Sequence, residues 1–302
     1  MPILAISLIA ISALLHAGWN LICKSCHPSA AFFLISTGAS VLVSLPVTFY
    51  YLPVLSRLPY TVWIFLILTG IVQALYYTSL GNAYRLSEIS IAYPLAKSIP
   101  VLLIPVITIT LGLGTKLGTG ALIGMLLVSV GCMILPLPSF RQLSLRNYLG
   151  KGFVFILGAA LTTAAYTIID SEALRVFRSA KIVGYLPTAL IYIVWENILI
   201  EIFLIPLVLL RQRERRTLWA IRTEGGIRYP AISGVICSIS YLLVLLAMML
   251  AGNVSYIAAF RQLSIPLGAI LGIFLFKERS NPPKLAGIVM IFIGLLLVGL
   301  WK

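Results

Sequence analysis

Long apolar runs separated by short polar gaps dominate the chain. They fall at about 2–22, 30–50, 61–83, 89–110, 117–136, 150–170, 184–210, 230–251, 254–276 and 285–301. Each is close to the ~20 residues that an α-helix needs to cross a bilayer. In hydrocarbon only helices and closed barrels satisfy their own backbone polar groups, and these runs are too long and continuous for barrel strands. The pattern therefore predicts an all-α polytopic membrane protein with ten transmembrane helices. The first run resembles a signal peptide in length. It lacks a basic start and a small-residue cleavage site, and it holds His16, Trp19 and Asn20, so it is expected to be retained as a span.

Composition supports lipid as the solvent. The chain is 61% hydrophobic and 10% charged, where soluble domains carry roughly 25% charged residues. Ten spans leave roughly 100 residues, too few for a separate soluble catalytic domain. The 22 Lys and Arg exceed the 8 Asp and Glu, giving +14. Most of the basic residues lie in the gaps, where they act as topology signals facing anionic lipid, and nucleic acid is not an expected partner. One longer gap, 137–148, divides the chain near its middle. Another, 211–228, carries six Arg and two Glu and is expected to be a solvated juxtamembrane loop.

Halving the chain exposes a repeat. Residues 13–22, ALLHAGWNLI, align with residues 160–169, ALTTAAYTII. Ser98-Ile99-Pro100 matches Ser264-Ile265-Pro266, and Gly124 and Gly131 match Gly287 and Gly294 at the same spacing. Five spans per half is an odd number, so the halves enter the membrane in opposite senses. The expected organisation is two inverted five-helix repeats, 1–136 and 150–302, joined by a connecting loop at 137–149.

The tokens His16-Ala17-Gly18-Trp19-Asn20 with Lys24, Tyr93-Pro94-Leu95-Ala96-Lys97, Tyr166-Thr167-Ile168-Ile169-Asp170, Arg261-Gln262-Leu263-Ser264 and Phe276-Lys277-Glu278-Arg279 resemble the drug/metabolite transporter superfamily, in its EamA-like branch of ten-helix transporters. The resemblance spans almost the whole chain and is nearly silent on substrate. It implies a central cavity lined by helices 1, 3, 4, 6, 8 and 9, with helices 5 and 10 peripheral. Gly112–Thr115 after helix 4 has no counterpart to the acidic residue that follows helix 9 as Glu278.

Charged residues inside spans are the most informative, because placing one at a helix centre costs about 2.5–3.5 kcal/mol on insertion scales. Lys97 and Arg261 become near-equivalent when the repeats are overlaid. Two cations converging from symmetry-related helices broken by Pro94, Pro100 and Pro266 would form an anion site, and in the superfamily's phosphate-ester branch basic residues on helices 4 and 9 similarly grip the substrate. The alternative is that both stems snorkel to the headgroups. Glu196, near the middle of helix 7, and Asp170 are either proton-coupling carboxylates or internal counter-ions. Because the resemblance keeps helix 7 out of the cavity, an ion pair is the favoured role for Glu196. Glu201 lies on another face and is expected to be structural.

Helix 1 presents Ser12, His16, Trp19, Asn20 and Cys23 on one face, and helix 6 presents Thr163, Tyr166, Thr167 and Asp170 on its twin. Such a stripe suits a polar substrate with an apolar portion, while each residue singly is equally explained by interhelical hydrogen bonding. His16, at what reads as a helix end, is expected to be satisfied structurally. Tyr93, Gln262, Tyr77, Gln73 and Tyr241 complete the candidate lining. Cys23-Lys24-Ser25-Cys26-His27 matches the c-type haem attachment pattern, but it abuts a span with no haem fold around it, so no cofactor is expected, nor a metal.

Orientation is contested. With both termini in the cytoplasm, cytoplasmic connections carry six basic residues and the opposite side fourteen. The positive-inside rule favours termini outside, while characterised relatives usually keep both inside. The leading reading is a secondary transporter of the inner membrane, working by alternating access on small anionic or zwitterionic metabolites such as amino acids or phosphate- or phosphonate-bearing compounds. A proton is a candidate coupling ion and membrane lipid the surrounding partner. Export of amphipathic or cationic drugs with Glu196 as the acidic contact is a second reading. A membrane-bound redox protein or enzyme is a third, and no motif in the chain supports it.

Overall fold

The computed structural model describes the chain except residues 27–28, 88, 143–149, 151, 224–225, 276–279 and 301–302. The side chains of Asn20, Leu21, Cys23, Lys24, Ser25, Ile89, Ser90, Ile91, Tyr93, Gln142 and Leu275 are also outside the described set. The expectations placed on Asn20, Tyr93 and Glu278, and on most of the CxxCH segment, therefore lie outside the described residues.

The described secondary structure is helical throughout. In chain order it comprises α1 (Ile3–Ser25), α2 (Ala30–Leu55), α3 (Tyr60–Leu86), α4 (Ile89–Thr110), α5 (Thr119–Ile134), α6 (Phe153–Ser179), α7 (Tyr185–Leu209), α8 (Gln212–Thr223), α9 (Arg228–Leu250), α10 (Val254–Phe260), α11 (Ser264–Leu275) and α12 (Pro282–Leu300). A 3-10 turn, Arg261–Leu263, joins α10 to α11, so the ninth apolar run is broken in its middle. Pro94, Pro100 and Pro105 all lie inside α4 without ending it.

Among the described residues, seven segments are long and apolar enough to cross a membrane: α2, α3, α6, α7, α9, α12 and the stretch Val254–Phe274. Three further apolar stretches, Ile3–Trp19, Pro94–Thr110 and Thr119–Ile134, are shorter than that. Ten full-length spans were expected from the runs. The helices α1 and α4 run 23 and 22 residues, while α5 is only 16 residues long. Many large apolar side chains, Leu42, Phe49, Phe274 and Leu296 among them, remain exposed on the outer surface, as lipid-facing positions must be.

Small residues set how closely the helices approach. Gly234 of α9 lies directly under the Ser36 carbonyl of α2, where an added Cβ would collide with that oxygen. The Ser36 hydroxyl donates to the Pro230 carbonyl across the same crossing (2.9 Å). In α1 and α9 the hydroxyls of Ser12 and Ser240 each donate to the other residue's carbonyl, at 2.8 and 2.9 Å. Such small-residue and hydroxyl contacts replace the hydrophobic effect, which lipid cannot supply between helices.

The Arg-rich segment departs from the expected loop. Most of it is the amphipathic helix α8, whose Leu218 and Ile221 pack against the apolar core. Glu214 is buried and accepts from the Ala31 amide at the N-terminus of α2 (3.1 Å), where an orphan N–H and the positive helix end favour a carboxylate. Low average hydropathy hid this helix, because only one face of it is apolar.

Candidate functional site

A cavity of about 740 Å³, its mouth included, opens between the helices. Its walls come from α1 (His16, Trp19), α2 (Phe33, Ser36, Thr37, Ser40), α3 (Gln73, Tyr76, Tyr77), α4 (Lys97), α6 (Tyr166), α7 (Glu196, Asn197), α9 (Ser233 to Val244) and the 3-10 turn (Arg261). The α2 residues belong to the N-terminal half of that helix and the α9 residues run from its N-terminal half to just past its middle, which weights the cavity toward the half of the bundle carrying α8.

Lys97 and Arg261 both line this cavity and share a smaller, deeper hollow of about 300 Å³ with His16, Thr163, Thr167 and Gln262. Lys97 is buried inside the bundle rather than reaching for a headgroup layer. Its ammonium lies 5.7 Å from the centre of the Tyr76 ring, and the Arg261 guanidinium lies 5.2 Å from that of Tyr241. Arg261 also donates to the Tyr166 hydroxyl at 3.4 Å. Aromatic faces stabilise cations that have lost most of their water, and each of these two cations has one. Thr167 Oγ1 and Gln262 Oε1, both in this hollow, are buried and have no hydrogen-bond partner among the described residues. Orphaned polar atoms of this kind are costly unless something else meets them.

The aromatic lining is continuous. Tyr76 packs edge-on against Tyr166, and Tyr166 against Tyr241, with ring centres 5.6 and 6.0 Å apart. Phe33 stacks on Tyr77 at 4.8 Å. The Trp19 indole N–H donates to His16 Nδ1 (2.9 Å), which fixes that ring. His16 sits inside α1 rather than at a helix end, because α1 continues two turns past it to Ser25.

Two carboxylates lie beside the cations. Glu196 lines the cavity and is fully buried, and Gln73 donates to its Oε1. The exclusion of helix 7 from the cavity is thus corrected: α2 and α7 pack between the helices that were expected to line it, and Glu196 points inward. Asp170, also fully buried, accepts from the Tyr192 hydroxyl at 2.8 Å and from the Tyr241 hydroxyl. It stands in the middle of α6 rather than closing it, since the helix runs on to Ser179. No salt bridge joins either carboxylate to Lys97 or Arg261 among the described residues. Glu201 faces α2 and accepts from Thr37, away from both carboxylates.

Tyr76 and Tyr192 were not picked out from the sequence. Each lies in an apolar run among other aromatic residues, and only the burial of a charged partner marks them. A tyrosine close to an intramembrane cation or carboxylate in the folded bundle carries no signature in local spacing.

Comparison with known proteins adds the family. The EamA-like transporter family model matches residues 150–300. A WAT1-related protein of Arabidopsis thaliana is 23% identical over 160 residues, covering 51% of this chain and 38% of that protein, so the chain matches well under half of that relative's length. A solved crystal structure superposes with a TM-score of 0.68 at 16% identity, covering 98% of this chain and 97% of the other, which is a likeness of fold.

Proposed function

The chain belongs to the EamA-like transporter family within the drug/metabolite transporter superfamily, and from that premise we propose that it is a secondary transporter of small anionic or zwitterionic metabolites. The observation that carries this reading is the pair Lys97 and Arg261 at the base of one aromatic cavity, beside the unpartnered Thr167 hydroxyl and Gln262 carbonyl. A phosphate, phosphonate or carboxylate group entering the deeper hollow would meet two cations and a hydroxyl donor. Gln262 would accept from a protonated acid oxygen or an ammonium. Arg supplies a planar fork and Lys a point charge, so together they suit a small acid better than a diffuse one. The tyrosines and Trp19 would hold the rest of the substrate, and their faces accommodate an apolar portion or an ammonium equally.

The same reading takes the bundle as ten spans in two inverted repeats, 1–136 and 150–302, with the three shorter apolar stretches also crossing. Helix packing supports it. Exchanging the halves maps the α1–α9 contact onto α6–α3, and α3–α7 onto α9–α2, while α2–α7 and α5–α12 map onto themselves. Alternating access would then be a rocking of the halves about the central site. The inner membrane is the expected location.

Uptake by proteoliposomes tests the assignment. With a panel of small acids, Lys97→Ala and Arg261→Ala together are expected to abolish uptake of any acid the wild type carries, and to remove that acid's thermal stabilisation of the purified protein. Unchanged uptake in the double variant would overturn the anion site. The cavity's inward-facing Glu196 and tyrosine faces favour a second reading, export of amphipathic cations. Under that reading Lys97→Ala is harmless and Glu196→Gln abolishes resistance.

A further inference from the structure

Glu196 carries an oxygen that no donor meets, and it can share a hydrogen bond with Asp170 only when one of the two carboxyls holds a proton. Its Oε1 accepts from Gln73, whereas Oε2 is buried and has no hydrogen-bond partner among the described residues. A buried carboxylate with one bare oxygen is an expensive arrangement, and adding a proton to that oxygen removes the charge at its source. Asp170 is differently placed. Two tyrosine hydroxyls, those of Tyr192 and Tyr241, donate one to each of its oxygens, which is what an ionised carboxylate requires. Asp170 is also the charged neighbour that acts most strongly on Glu196. Two negative charges so close together in a dry site do not coexist readily.

We propose that Glu196 and Asp170 form a proton-binding pair, in which Asp170 keeps the negative charge and Glu196 takes up and releases one proton from the cavity in each transport cycle. The step is a simple addition: a carboxylate and a proton give a carboxylic acid, and the site's charge rises by one. Glu196 lines the cavity, so the proton reaches it without crossing the apolar core.

Every element around the pair contributes a group that bears on the proton. From α3 come Gln73 and Thr69, from α7 Tyr192, and from α9 Tyr241 and Cys237. Arg261, on the 3-10 turn, attracts the Glu196 charge directly. Tyr166 bridges Arg261 and Asp170 on α6, with the Tyr76 ring edge-on against it and Tyr77 tilted beside Tyr76. Lys97 and His16 stand on the far side of Arg261 in the deeper hollow. An anion docking on Lys97 and Arg261 would cancel part of the positive field that favours loss of the Glu196 proton. Anion and proton binding then favour each other, as reciprocal linkage demands, and the expected mode is symport of the acid with a proton. This part rests on the anion-transport reading; the proton site itself does not.

Infrared difference spectroscopy of the purified protein, between neutral and alkaline medium, tests the site without any substrate. The carboxylic-acid C=O band of a buried acid is expected in the wild type, shifted by deuterium exchange and lost in Glu196→Gln. Glu201→Gln, altering the half-buried glutamate of α7, should leave that component in place. A band unchanged in Glu196→Gln, or no acid band at neutral pH, would overturn the proposal. Glu196→Gln keeps the side chain's size, and an unchanged melting temperature verifies its fold. Vesicles loaded with a pH-sensitive dye give the linkage, with phenylphosphonate as the probe. Internal acidification should accompany probe entry in the wild type and vanish in Glu196→Gln while probe counterflow persists. Sodium-dependent entry without acidification would overturn proton coupling. If phenylphosphonate is neither bound nor carried, the anion reading loses its support, and the infrared result still decides the proton site.

Discussion

Gly124 of α5 and Gly294 of α12 face each other so closely that a Cβ on either would lie 2.6 Å from the other's carbonyl oxygen. Seven residues along α5, Gly131 meets Gly287 in the same way, at 3.0 and 2.8 Å. The rising number in α5 pairs with the falling number in α12, so the two helices cross antiparallel with backbones almost in contact. Gly124→Ala is expected to force them apart and lower the melting temperature, by the roughly 1–3 kcal/mol typical of overpacking. Gly18→Ala is the control. A Cβ at Gly18 meets nothing within 4 Å, and removing a helical glycine there should stabilise by roughly 0.4–1 kcal/mol. Thermal unfolding in detergent, followed by tryptophan fluorescence, reads both signs.

This pairing was legible in the sequence only as a matched spacing of glycines. The same holds for the cations. Lys97 and Arg261 stand out because a charge in an apolar run is rare, and the fold brings them to one hollow. What stayed hidden has a physical cause. In lipid a helix is apolar on every side, so periodicity does not say which face turns inward, and α2 and α7 gave no sign that they line the cavity. The polar residues that α2 contributes, Ser36, Thr37 and Ser40, are ones that mostly bond their own helix. For α8 the reverse problem applied, since one buried face among four arginines leaves the average polar.

Arg261 touches two rings, resting over Tyr241 and donating to Tyr166. Arg261→Lys keeps the charge and loses the planar fork, so it isolates geometry from electrostatics. Affinity for a transported acid should fall about tenfold, or about 1.4 kcal/mol, in the range of a desolvated cation–π contact with one hydrogen bond. Maximal uptake should change less than affinity. Equilibrium binding to purified protein, compared with Arg261→Ala, measures the difference. A lysine indistinguishable from alanine would mean the fork is everything, and one indistinguishable from arginine would mean charge alone matters.

The cavity opens on the side that carries α8, where Glu214 ties the Arg-rich helix to the start of α2. That side also collects fourteen of the twenty basic residues outside the spans by the sequence count, and basic connections are held in the cytoplasm. The expected topology therefore has both termini outside and the cavity facing inward. A periplasm-active reporter fused after Lys302 should be active. An inactive one, with a cytoplasm-active reporter positive at the same point, would reverse the orientation and with it the sense in which the cavity opens.

On the opposite side, a second cavity of about 930 Å³ lies between the ends of α4, α6 and α9, and includes Ser171, Glu172 and Arg175. A set of hydrogen bonds between the two halves of the chain borders it. Asn253 donates through Nδ2 to the carbonyls of Leu113 and Thr115, at 3.2 and 2.9 Å, while its Oδ1 caps α10 by accepting from the Ser255 amide. The Thr115 amide donates to the Gly252 carbonyl (2.8 Å), and Thr108 and Ser255 share a hydrogen bond at 3.0 Å. Gly114 supplies the turn, with φ of +71° and room beside it for no Cβ, only 2.7 Å from the Gly252 oxygen. The segment Gly112–Thr115, which had no acidic counterpart to Glu278, thus finds its partners in the other half of the chain. If the halves rock, these bonds must break when the far side opens. Asn253→Ala removes both inter-loop side-chain bonds and the cap, and should shift the protein toward the far-side-open state. Labelling of a Ser171→Cys reporter by a membrane-impermeant maleimide added from that side should then speed up severalfold, while Gly114→Ala, which strains the turn itself, should act in the same direction. Equal labelling with Asn253 intact or removed would mean that this contact closes nothing.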